Sequence, residues 1–257
     1  MLAFTEVRGM LFDLDGVFFV GCEAIPGGAE LLVGLKARGI PYRFVTNTTT
    51  LSRANMAVKL QAMNLPIQAE EIISAPYAAL LHLRRNGYRA CQLLLADQVC
   101  KEFSEFSCDS EQPQAVVIGD IGSAWSYALL NQVFQRVMAG SELIALHKGK
   151  FWQTEAGLQL DIGAFVTGLE YATGKAATVI GKPSPAFFSA ALAELDLPAH
   201  QVAMVGDDID SDVGGAQQAG LKGMLVKTGK YREAYAQASG VTPDATLASI
   251  ADLRTLI

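Results

Sequence analysis

Four short clusters of polar residues in this 257-residue chain have the types and spacing for chemistry on an anion. In Phe12-Asp13-Leu14-Asp15-Gly16, two carboxylates stand two residues apart, after an apolar run and before a glycine. Together they can meet one small polar substrate, although acidic pairs also occur in turns and helix caps. Gly16 favours the chemical reading, because a residue without a side chain lets backbone N–H groups approach an anion.

The second cluster, Thr46-Asn47-Thr48-Thr49-Thr50, follows an apolar run and precedes Ser52, an ordinary helix start. Hydroxyls and amides before a helix also form an anion site, with Thr46 and Asn47 as the phosphate contacts. In the third, Gly181-Lys182-Pro183-Ser184-Pro185, a lysine stands between a strand end and a rigid turn, where it can hold positive charge against an anion. The fourth, Gly206-Asp207-Asp208-Ile209-Asp210-Ser211-Asp212, crowds four carboxylates into six positions. Some complement a helix dipole, but their mutual repulsion points more sharply to a hard cation.

The elements that must position these residues alternate short apolar runs with longer amphipathic stretches, the pattern of a parallel sheet covered by helices. The spacing predicts an α/β doubly wound fold with strands at Met10–Leu14, Tyr42–Thr46 and from Ile72, and helices at Gly27–Arg38 and Ser52–Met63. The pattern returns with strands Thr178–Ile180, Val202–Gly206 and Gly223–Val226 and helices near Ala186–Leu195 and Ile209–Ala219. Between these blocks, Leu93–Ala96, Ala115–Gly119 and Leu143–Leu146 are strand candidates of a stretch able to fold alone. The expected division is 1–76 and 177–257 for a core and 77–176 for an inserted smaller α/β unit. Each chemical cluster then stands at the carboxyl end of a strand, where open parallel sheets bind ligands.

A net charge of -6 without any run of Lys and Arg excludes a nucleic-acid partner as the first reading. No apolar window is long enough to span a membrane, and no signal peptide opens the chain, so a cytoplasmic location is expected. Cys22, Cys91, Cys100 and Cys108 lack zinc-ligand spacing and read as reduced, mostly buried thiols.

The order D-x-D-G, Thr, Lys, then G-D-D with further acids resembles the haloacid dehalogenase superfamily, and the insertion between the second and third clusters resembles its type IIA cap. The resemblance covers the whole chain. One departure is Ala164 in Asp161-Ile162-Gly163-Ala164-Phe165, where relatives usually carry proline.

The resemblance implies a Rossmann-like core and a phosphatase acting on a phosphate ester, phosphoramidate or pyrophosphate through an aspartyl phosphate. Asp13 is then the nucleophile, Asp15 the general acid and base, and Lys182 the catalytic cation. Asp13, Leu14, Asp15, Thr46, Asn47 and Lys182 bind the substrate. Mg²⁺ is held by Asp13, Asp15 through its carbonyl, and Asp207, with Asp208 and Asp212 behind them. The partner is a phosphorylated small molecule or phosphoamino acid, and a homodimer through the cap is compatible with the resemblance. Within the insertion, Lys148–Leu160 is the expected reading loop, with His147, Lys148, Lys150 and Trp152 as candidate contacts. The rival reading is a catalytically weak scaffold of the same fold that binds phosphorylated ligands; it would be expected to lose Asp13, Asp15, Lys182 or Asp207, and all four are present.

Overall fold

The computed structural model describes residues 6–154 and 157–255, with side chains omitted for 151–158. Its strands are β1 (Gly9–Phe12), β2 (Phe19–Val20), β3 (Glu23–Ala24), β4 (Tyr42–Thr46), β5 (Ile72–Ser74), β6 (Cys91–Leu94), β7 (Ala115–Ile118), β8 (Glu142–Ala145), β9 (Phe151–Thr154), β10 (Gly157–Leu160), β11 (Thr178–Val179), β12 (Val202–Gly206), β13 (Lys222–Val226) and β14 (Ala245–Leu247). Two compact units divide them: Met1–Thr46, Arg53–Ile73 and Lys182–Ile257 form the first, Asn47–Ser52 and Ser74–Gly181 the second.

The first unit carries a six-stranded sheet in the order β14-β13-β12-β1-β4-β5. β1 runs parallel to β12 on one side and to β4 on the other. A strand with neighbours on both edges and helices over both faces must be apolar throughout, and Met10, Leu11 and Phe12 are fully buried. The chain leaves β1 toward β4 and β5 and later returns to its other side as β12, β13 and β14. Strand order therefore reverses beside β1, which places the ligand crevice at the carboxyl ends of β1 and β12. Edge-on ring contacts of Phe18 with Phe12 (5.4 Å) and Phe44 (5.3 Å) anchor the turn that leaves β1.

The second unit has a four-stranded parallel sheet, β11-β8-β7-β6, and the antiparallel pair β9 and β10. Val116, Ile118, Leu143 and Ala145 pack against Val133 and Val137 of the helix Tyr127–Met138 and Val166 and Leu169 of the helix Gly163–Thr173. Beside this core Glu142 gathers three polar partners. His82 Nε2 lies 3.1 Å from its Oε1, Thr178 Oγ1 donates to Oε1 at 2.6 Å and Tyr88 OH to Oε2 at 2.9 Å, while Asn86 Nδ2 reaches His82 at 3.2 Å. The contact with His82, then the Thr178 and Tyr88 hydroxyls, outweigh burial and pull Glu142 from 4.5 to about 2.

Three expectations change. Thr178–Ile180 does not join the final block: Thr178 registers with Ile144, and Ile180 N and Gly181 N continue onto Ala145 O and Leu146 O. The helix expected at Ile209–Ala219 opens as a π-helix over Ile209–Gly214 and continues as an α-helix only over Gly215–Gln218. The thiols are not mostly buried, since Cys22 and Cys108 are exposed and only Cys91 is enclosed. None of the described helices is long and apolar enough to cross a membrane.

Glu142→Gln keeps the shape of the side chain but removes the charge its partners solvate, and should lower stability by about 1 to 3 kcal/mol at neutral pH. The depressed pKa means that this contribution is complete above 4.5 and is lost as pH falls toward 2. Melting of the two proteins between pH 7 and pH 2 should therefore show a gap that closes across that window; a gap independent of pH would remove the charge from the explanation.

Candidate active site

Asp13 follows β1, and its N–H donates to Val205 O at 2.9 Å, so the central pair of strands fixes where its carboxylate starts. Lys182 Nζ lies 2.8 Å from Asp13 Oδ1 and 2.7 Å from Asp212 Oδ1. All three residues are enclosed, Lys182 at 5% exposure and Asp212 at 0%. Burial alone would drive the ammonium toward neutrality, but the two carboxylates hold its pKa well above the ordinary lysine value. Lys182 is a permanent cation here, and both its carboxylate partners are spoken for.

Asp207 follows β12 and is 1% exposed. Its Oδ2 accepts from Lys230 N at 2.6 Å, and its Oδ1 has no hydrogen-bond partner among the described residues. Burial first, then the neighbouring Asp13, push Asp207 up to about 6. Asp212 is raised as well, because burial outweighs the pull of Lys182. Ligand atoms of Asp13, Asp207 and Asp212 all lie within 4.8 Å of one another. Three buried carboxylates against one buried ammonium leave two negative charges uncompensated, and one carboxylate oxygen is unpartnered. An oxygen-only donor set of that charge fits a hard divalent cation.

Sequence reading grouped Asp208 with Asp212, and the geometry separates their tasks. Asp208 Oδ1 accepts from Asp210 N (3.1 Å) and Ser211 N (3.0 Å), capping the π-helix. The wide π turn brings Asp212 back so that its Oδ2 accepts from Asp208 N at 3.2 Å while Oδ1 faces Lys182. Leu14 buries its side chain and so could offer a ligand only its backbone. Thr46 ends β4, beside β1, and is buried; Asn47, the next residue, belongs to the second unit. Of the other candidates there, Lys148 is paired with Glu170 at 2.7 Å, His147 Nδ1 accepts from Gly149 N at 3.1 Å, and the Trp152 side chain falls outside the described residues.

Asp15 is open to solvent on one side. Its pKa is raised by partial burial and next by Asp13, with Lys230 and Lys59 opposing. Asp13 and Asp15 thus differ in setting: one is locked to a buried cation, the other is accessible and inclined to hold a proton.

The segment Thr228-Gly229-Lys230 was missed in the sequence, although it too follows a strand, β13. Thr228 Oγ1 donates to Gly16 O, which ties this loop to the turn after β1. Gly16 (φ +81°) and Gly229 (φ +55°) both adopt left-handed backbone against Asp207, and a Cβ would fall 1.9 Å and 2.1 Å from its Oδ2. Only glycine at both places lets Asp207 reach the cluster.

The haloacid dehalogenase-like hydrolase family profile matches residues 10–108, and a HAD-hydrolase-like profile matches 179–253. The phospholysine phosphohistidine inorganic pyrophosphate phosphatase of Homo sapiens is 38% identical over 257 residues, covering 98% of this chain and 94% of its own. Haloacid dehalogenase-like hydrolase domain-containing protein 2 of Mus musculus is 39% identical over 91% of this chain and 89% of its own. Among solved structures, the p-nitrophenyl phosphatase of Archaeoglobus fulgidus superposes with a TM-score of 0.90 at 26% identity, covering 98% of this chain and 99% of its own. The full-length likeness in sequence and the matching α/β architecture place this chain among the haloacid dehalogenase-like hydrolases, as an enzyme of their phosphatase class.

Proposed function

We propose that this chain is a Mg²⁺-dependent phosphatase that passes the phosphoryl group through Asp13. The observation that carries the reading is Lys182 bridging Asp13 and Asp212 at 2.8 and 2.7 Å beside Asp207, whose Oδ1 lacks a partner. A buried ammonium engages Oδ1 of Asp13 and leaves its other oxygen to attack phosphorus. Asp15, whose pKa is raised by burial and by Asp13, delivers a proton to the departing oxygen and afterwards takes one from the water that attacks the aspartyl phosphate. Thr46, Asn47 and the Leu14 backbone hold the transferring oxygens, and Lys182 offsets their charge.

Asp13, Asp207 and the Asp15 carbonyl would hold Mg²⁺, with Asp212 close by. When bound, the ion would supply positive charge to offset the three carboxylates and the charge of the phosphoryl group. The second unit serves as a cap that admits the substrate, a phosphorylated small molecule or phosphoamino acid. The names of the relatives support phosphoramidates and pyrophosphate as compounds to try beside phosphate esters.

Hydrolysis of p-nitrophenyl phosphate with Mg²⁺ should fall roughly a thousandfold or more in Asp13→Asn, and by about 10² to 10⁴ in Asp15→Asn. A phospho-ligand scaffold predicts no turnover by the wild type, and an Asp13→Asn protein that still hydrolyses the ester would remove the nucleophile. Chelation with EDTA should abolish turnover, and Mg²⁺ should raise the melting temperature of the wild type but not of Asp207→Asn. Metal-dependent stabilisation surviving in Asp207→Asn would move the ion elsewhere. Gly16→Ala should cost at least a hundredfold in turnover, because its Cβ displaces Asp207 and with it the metal. Normal rates in that variant would contradict the crowding described around Asp207.

A further inference from the structure

Lys182 is buried and held between Asp13 and Asp212, so on the phosphatase reading its charge serves the phosphoryl group at Asp13 and not the leaving group. Two other lysines of the same unit stand near Asp15 and are not so engaged. Lys230 is accessible to solvent, and its own amide is fixed on Asp207 Oδ2 at 2.6 Å, so its side chain starts beside the carboxylate cluster. Lys59, on the helix Arg53–Ala62, sits with its Nζ 4.6 Å from the centre of the Phe19 ring. Phe19 is bridged to Asp15, and its O accepts from Gly16 N at 2.7 Å, which brings Lys59 to the other flank of the same turn. Among the described residues neither lysine has an ion-pair partner.

Lys230 and Lys59, in that order, are the positive groups that oppose the rise of the Asp15 pKa. Lys59 beside Phe19 and Lys230 beside Asp207 thus bring positive charge to both flanks of the Asp15–Gly16 turn, apart from the charge of Lys182.

We infer that Lys59 and Lys230 are specificity-determining residues that favour substrates whose leaving group itself carries a negative charge, such as a second phosphate or a carboxylate. The inference rests on the phosphatase reading and on Asp15 as the residue facing the leaving group. A neutral leaving group gains nothing from the two cations, whereas an anionic one is drawn to them and held where Asp15 can protonate its bridging oxygen. The attraction acts in the bound substrate before the bond breaks, so it should appear mainly in KM.

The test compares p-nitrophenyl phosphate with 4-carboxyphenyl phosphate in wild type, Lys59→Met, Lys230→Met and Lys230→Arg. For each protein the ratio of kcat/KM for the carboxylated over the nitro compound is measured on one sample, so the folded fraction cancels. The expected result is a ratio lowered about tenfold by either Met variant, mostly through KM, and largely restored by Lys230→Arg, with the difference shrinking at high salt. An unchanged ratio in both Met variants overturns the inference even if both lose activity. A wild type that hydrolyses neither compound overturns the phosphatase reading, and the inference falls with it.

Discussion

A lysine ammonium with almost no access to water sets the terms for the rest of the first unit. Removing such a cation from water costs several kcal/mol unless anions replace the solvent, and Lys182 is matched by Asp13 at 2.8 Å and Asp212 at 2.7 Å. Those carboxylates come from the ends of different strands, so the ion pair needs β1 and β12 side by side and a π turn that returns Asp212 toward the sheet. Adding Asp207 to the same enclosed space overshoots neutrality and creates the excess of negative charge. The charge that makes the first unit costly to assemble is also what suits this cluster to a hard divalent cation.

Much of this was legible in the sequence because each cluster punctuates a strand. The fully buried run Met10–Phe12 ends at Asp13, Tyr42–Thr46 ends the neighbouring strand, and Val202–Gly206 leads into Asp207. Spacing along one chain does not reveal how two side chains turn, and so Asp208 and Asp212 looked alike. One caps a helix and the other faces Lys182, a distinction produced by a π turn that has no sequence period of its own. Thr178–Val179 was misplaced because a two-residue strand reads the same beside either sheet, and only its hydrogen bonds onto β8 decide. Lys230 escaped because a Thr-Gly-Lys triplet after a strand has no local mark of chemistry; its meaning comes from a backbone contact with Asp207, 23 residues earlier.

The two units treat carboxylates drawn in from water differently, Glu142 partly and Asp207 almost wholly. Glu142 in the second unit is fully supplied with partners and holds strands and helix together. Asp207 in the first is left with one oxygen unanswered. A satisfied buried carboxylate fixes a structure, while an unsatisfied one stores an affinity.

The position of β1 also governs the order in which this chain can acquire its structure. Gly9 pairs with Val202, about 190 residues later, so during synthesis the apolar strand Gly9–Phe12 has an open edge until most of the polypeptide has emerged. The continuous segment Ser74–Gly181 has all four strands of its own sheet and can close before that partner arrives. Folding from the ribosome would then complete the second unit first, leaving the amino-terminal strands exposed to mispairing or chaperones meanwhile. Asp13 is made early, but the lysine that bridges it to Asp212 is added only after about 70% of the chain exists, so this buried ion pair is among the last parts of the first unit to form.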